Sequence, residues 1–154
     1  MAHARKQIRD AVVALVTDLE TTGRNVFPSR VYSLADEELP SLSVFTGDAG
    51  NDEVVTKVTL GSPGKRPLFK RDCPLLIEGH AKVSDDIDDV LDQISLEIEV
   101  AMSNLITIGE RTVPAQLRST AKELSGEGED QIGVVRLLYI VTYVTAENTP
   151  DILE

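Results

Sequence analysis

Val134-Val135-Arg136-Leu137-Leu138-Tyr139-Ile140-Val141-Thr142-Tyr143-Val144-Thr145 is the stretch that decides the fold. Apart from Arg136 and the threonines it is apolar at odd and even positions alike. A strand with two apolar faces belongs in the interior of a sheet, where neither side meets much water. Its β-branched and aromatic content suits a pleated, packed surface.

Upstream, Ser84–Asn104 reads as a helix. Ile87, Val90, Leu91, Ile94, Ile98, Ala101, Met102 and Leu105 recur at helical spacing and give one buried face. Ser84 stands where a cap would be, and Asp85, Asp86, Asp88 and Asp89 follow it, where the macrodipole favours anions. Arg111–Leu124 alternates as a strand and leads into the acidic turn Ser125–Asp130. At the other end, Ala4–Glu20 carries Ile8, Val12, Leu15, Val16 and Leu19 on one helical face, with Gly23 available to end it.

Between the helices lie the remaining strands. Val31–Leu34 is a short one, followed by the charged turn Ala35–Glu38. Ser41–Thr46 alternates, and Val54–Leu60 and Leu75–Val83 do the same. Gly61–Cys73 breaks the pattern with two glycines and two prolines, and holds four of the fifteen basic residues: Lys65, Arg66, Lys70 and Arg71. The region 54–83 therefore reads as a hairpin arm with a long basic loop, and 148–154 as a short acidic tail. Strands are grouped instead of alternating strictly with helices. The expected class is α+β, a mostly antiparallel β-sheet with two main helices packed on it, in a single domain over residues 1–154.

Composition narrows the function. The net charge of -11 should make the chain soluble and repel free nucleic acid on average. A single cysteine, Cys73, excludes an internal disulfide. No apolar run follows Met1 and no stretch is long enough to span a bilayer, so neither a signal peptide nor a membrane contact is expected. His3, His80 and Cys73 are the only imidazoles and thiol, too few and too scattered for a metal site or a cysteine–histidine pair. The aspartates after Ser84 lack the glycine and closing glutamate of a calcium loop. Gly61-Ser62-Pro63-Gly64-Lys65 lacks the spacing of a phosphate-binding loop. The expectation is a protein without catalytic residues, cofactor or metal. The basic cluster Lys65, Arg66, Lys70 and Arg71 reads either as a solvated hairpin or as an exposed docking arm for an acidic partner.

Two spaced signatures point further. The first is Phe27-Pro28-Ser29-Arg30 followed by Leu39-Pro40-Ser41-Leu42-Ser43-Val44-Phe45; the second is Leu137–Thr145, with Leu138, Thr142 and Tyr143 in place. This layout resembles the tail terminator proteins of long-tailed bacteriophages over nearly the whole chain. The hairpin loop and Arg111–Glu129 are longer than in compact members. The resemblance implies a structural virion protein that forms a hexameric ring on the head-proximal end of the tail. Such a ring stops polymerisation of the major tail tube protein and offers a surface to the head–tail connector or neck protein. DNA passes through its lumen without sequence-specific binding. Assembly would take place in the host cytoplasm. Two other readings stand beside it: another connector, neck or tail completion protein, and a small α+β ligand-binding domain.

Overall fold

The computed structural model describes residues 2–28, 39–47, 52–58, 66–126 and 130–154. The expected strand Val31–Leu34, the turn after it, and Arg30 and Lys65 lie outside the described residues.

Two strands of sixteen residues organise the molecule. β4 (Leu68–Val83) and β8 (Gln131–Ala146) pair antiparallel over their full length, from Leu68↔Ala146 to Val83↔Gln131. At ~3.3 Å per residue each runs on the order of 50 Å. β2 (Ser41–Thr46) and β3 (Val54–Val58) share the outer edge of β4 end to end, pairing with its second and first halves respectively. β7 (Ala115–Ser125) and β9 (Thr149–Leu153) share the outer edge of β8 in the same way. β1 (Val26–Pro28) extends the sheet beyond β2 in the one parallel pairing among the described residues. The class is α+β, and the apolar strand of the sequence is an interior strand, between β4 and β7.

Both helices cover one face of this sheet. α2 (Ile87–Met102) buries Ile87, Leu91, Ile94, Ile98, Ala101 and Met102, in the register that the periodicity predicts. Val90 is only half-buried, and Leu105 lies past the helix end and is exposed. α1 (Ala4–Leu15) buries Ala4, Ile8 and Val12. Beneath them lie Leu42 and Val44 of β2, Cys73, Leu75, Ile77 and Ala81 of β4, and Val135, Leu137, Tyr139, Val141 and Tyr143 of β8. The opposite face carries Leu138, Ile140 and Val144, half-buried, and no described helix packs on it.

Two glycines set how closely α2 approaches. A Cβ on Gly79 would stand 2.6 Å from Ile94 Cγ2, and one on Gly133 would stand 2.7 Å from Leu91 Cδ1. The helix side chains occupy the space that a β-carbon would take. Gly79→Ala is expected to cost about 1–3 kcal/mol through overpacking, with the secondary structure intact. Urea denaturation with circular dichroism checks both halves of that statement.

The elements differ from the sequence reading at several places. α1 ends at Leu15, not Glu20. Val16 closes it, and a tight turn follows in which Asp18 and Gly23 take positive φ and Asp18 N–H donates to the Gly23 carbonyl at 2.9 Å. The cap of α2 is Asp86 in the left-handed region, not Ser84, and the Ile87 N–H donates to Gln131 Oε1 at 3.2 Å. Arg111–Leu124 is not one strand. Ile106–Ile108 (β5) and Arg111–Val113 (β6) form a hairpin, with Gly109 at positive φ in its turn. Pro114 then separates β6 from β7. This hairpin packs beneath α1 through Ile106 and inserts Val113 into the core. The acidic tail 148–154 is largely strand β9, whose Leu153 packs against the core.

Candidate assembly surfaces

The paired strands β3 and β4 end in a hairpin whose alternate residues face opposite ways. Val55 and Lys57 lie on the helix-bearing side, across from Arg71 and Phe69; Val54 and Thr56 lie on the other, across from Asp72 and Lys70. Lys57, Lys70 and Arg66 are exposed, and among the described residues neither lysine has an ion-pair partner. Arg66 Nη1 donates to Asn148 Oδ1 at 3.2 Å. Val54 and Val55 are exposed too, at 58% and 45%.

The structure corrects the expected basic loop at its last two members. Lys70 and Arg71 are strand residues, because β4 begins at Leu68. Arg71 is also buried, so it is no part of an exposed cluster. Strand alternation is the reason: Lys70 faces solvent, while Arg71 shares the helix-covered face with Cys73. There its guanidinium meets Glu53 at 3.5 Å, donates through Nε to Thr145 Oγ1 at 3.0 Å, and lies 5.6 Å from the Phe69 ring centroid. Glu53 also accepts from Arg5 Nη1 at 2.5 Å and from the Tyr143 hydroxyl. Burial foremost, then the hydrogen bond to Glu53, pushes the Tyr143 phenol up, so it remains a donor. One carboxylate thus ties α1, β3, β4 and β8 together at the base of the hairpin. Sequence reasoning passed over Glu53 and Lys57, because nothing local marks either one.

Cys73 lies close to this cluster, fully buried, and burial foremost pushes its thiol up to about 12. A thiol so protonated and enclosed is unreactive. His80 stands on the opposite face of β4, with Nε2 3.2 Å from Glu78 Oε2. Glu78 is held below the usual carboxylate range, first by His80 and then, against the opposing effect of burial, by Arg136. Arg136 bridges three strands, donating to Glu78 Oε1 at 3.1 Å and Glu123 Oε2 at 2.9 Å. His3 is ordered as the cap of α1: its Nδ1 accepts from the Arg5 N–H at 3.1 Å. Burial and Arg5 lower its pKa, which favours the neutral ring that can accept.

The second surface is the outer side of α2. The helix carries Asp88, Asp89, Asp92, Glu97 and Glu99 and no basic residue. Lys122 of β7 reaches Asp88 and Asp92, at 2.6 and 2.9 Å. Glu97 accepts from the Thr21 N–H at 2.8 Å, which pins the turn after α1 to α2. Glu99 has no cation beside it among the described residues. Between these acids Leu96 and Val100 are exposed, at 55% and 60%. With Leu15, Leu19 and Asn104 they line a groove of about 420 Å³ between the two helices. A larger groove, of about 520 Å³, lies on the uncovered face of the sheet, lined by Asp52, Asp72, Arg118, Leu138 and Ile140 among others.

No protein-family model matches the chain, and no curated protein is similar to it at a significant level. Among solved structures, a chain from the virion of a native gene transfer agent particle is similar to it with a TM-score of 0.43 and 10% identity, over 91% of this chain and 95% of that one.

Proposed function

We propose that this chain is a structural virion assembly protein of the tail terminator kind. In this reading it caps the head-proximal end of a phage tail tube as a hexameric ring and stops growth of the tube. It then presents the surface for head–tail joining, and it performs no catalysis. The observation that carries the reading is where the exposed apolar side chains lie. Among the described residues, four of the eight large exposed ones fall in two pairs on separate surfaces: Val54 and Val55 on the β3–β4 hairpin, and Leu96 and Val100 on the outer side of α2, a helix with acidic residues and no basic one. Patches of this kind mark contacts with other proteins. Two different surfaces on one chain suit a heterologous interface, the kind that closes into a ring. The sequence signatures support the same reading, since the strand portions of both flank β4: β2 on one side and β8 on the other. An acidic ring can surround DNA without gripping it. No helix among the described residues is long and apolar enough to cross a membrane.

The test uses purified protein added to tail tubes assembled from a phage major tail protein. Negative-stain images are expected to show a ring at one end of tubes of uniform length. A stable dimer that never associates with tubes overturns the reading. Rings found at the neck of assembled particles but absent from free tubes move the protein to the connector or completion class. The groove on the uncovered sheet face favours a second reading, a ligand-binding domain, because its volume falls in the range of small-molecule sites. A small molecule co-purifying with the protein and lost on Arg118→Ala would establish that reading.

A further inference from the structure

The cap of α1 is an imidazole, and that makes the start of the helix sensitive to pH. The His3 backbone is non-helical, and its carbonyl accepts from the Lys6 and Gln7 N–H groups at 2.9 and 3.2 Å. Its Nδ1 accepts from the Arg5 N–H at 3.1 Å, a place that Ser, Thr, Asp or Asn commonly fills. Those side chains keep their acceptor throughout the neutral range. An imidazole has no acceptor left once it is protonated, and it titrates between about pH 5 and 8. The surroundings oppose the charged ring. The first turn of α1 holds no acidic residue. Arg5 on α1 and Arg71 on β4 repel an imidazolium, as does the positive end of the helix dipole. Glu53 ahead of β3 and Asp151 on β9 attract it, but Glu53 is already engaged by Arg5, Arg71 and the Tyr143 hydroxyl. This first turn is also what ties α1 to its neighbours: Arg5 reaches Glu53 at the base of the hairpin, and Gln7 Nε2 donates to the Asp151 carbonyl of β9 at 2.7 Å. We propose that His3 is a pH-sensitive latch, which when neutral holds the first turn of α1 against β9 and the base of the hairpin, and when protonated releases that turn while the sheet and α2 stay in place. The latch goes beyond the ring reading and does not depend on it. Burial foremost, then Arg5, holds the ring below its ordinary value of 6.5. The open state therefore takes up the proton first, so the latch is closed above that pH and weakens as pH falls through it.

Amide hydrogen exchange of the full chain, read by NMR, tests it. Rates are taken at about pH 7.5 and about pH 5, on either side of the imidazole range, and each is divided by the intrinsic rate for that pH. Protection at Arg5, Lys6 and Gln7 is expected to fall about fivefold at the lower pH, the effect of losing one ordinary side-chain cap. Amides of β4, β8 and α2 are expected to keep theirs. The midpoint of the loss is expected to match the titration of the His3 ring itself, below 6.5. His3→Asn retains an acceptor that does not titrate, and is expected to stay protected at both pH values. His3→Ala is expected to lack the protection at both. His80→Gln is expected to leave the change intact, because His80 stands on the opposite face of β4 beside Glu78. First-turn protection that stays constant through the His3 titration overturns the proposal. So does a loss that persists in His3→Asn, one that vanishes in His80→Gln, or one that spreads evenly over β4 and β8, which is unfolding of the whole domain.

Discussion

Replacing Glu53 by alanine is expected to cost about 3–5 kcal/mol, the penalty for stripping a buried charge of its partner. The Glu53 side chain is 10% exposed and that of Arg71 is 11%. Without the carboxylate, the Arg71 guanidinium stays enclosed beside Arg5 with no anion, and the Tyr143 hydroxyl loses its acceptor. Neither loss can be repaired by water without opening the base of the hairpin. For a chain of this size the shift in Tm is roughly 2–4 °C per kcal/mol. Urea denaturation at constant m-value gives the stability change directly. The companion variant Arg71→Met removes the stranded cation, so Glu53→Ala combined with Arg71→Met is expected to be milder than Glu53→Ala alone. Lys70→Ser, one residue away on the exposed side of the strand, is expected to stay within about 0.5 kcal/mol, as surface substitutions do. A Glu53→Ala variant that melts with the parent would mean that the cluster is solvated.

The second large effect belongs to α2. Leu91→Ala is expected to cost about 2–5 kcal/mol, because Leu91 is fully buried and the cavity left behind has little to collapse into. Its Cδ1 lies over Gly133, which has no side chain to move into the gap. The same geometry predicts a partial rescue. Gly133→Ala by itself places a methyl group against Leu91 and Ile87 and destabilises, whereas in the Leu91→Ala background that methyl enters vacated space. The double variant is therefore expected to lose less than the sum of the two singles, and a double-mutant cycle in urea measures the difference. Strict additivity would mean that α2 sits higher above the sheet than described.

The proposed capping and ring closure would use surfaces that lie outside the core these two variants probe. The core variants change stability, whereas substitutions at exposed positions of the hairpin and of α2 are expected to leave it almost unchanged and alter association. That separation allows an assembly defect to be distinguished from a folding defect.

The strongest local patterns carried over into the fold. The apolar run 134–145 could be placed in the sheet interior because two apolar faces exclude an edge, and the buried side of α2 followed from spacing alone. Ser41–Thr46 alternated clearly enough to be placed as a strand. What lay beyond reach depended on partners distant in the chain. Arg71 looked like one of four loop cations, since a sequence shows its charge but not Glu53 eighteen residues earlier or Thr145 near the other end. Thr149–Leu153 has too little apolar content to declare itself a strand; it is one because the end of β8 offers a free edge. The hairpin β5–β6 was hidden because three-residue strands carry no period, and only the underside of α1 gives them a place to pack. By itself the sequence determined the class, the central strand and the face of α2. Tertiary structure decided which charges are buried and which are free, because a strand alternates sides with every residue and only the packed helices settle which side is dry.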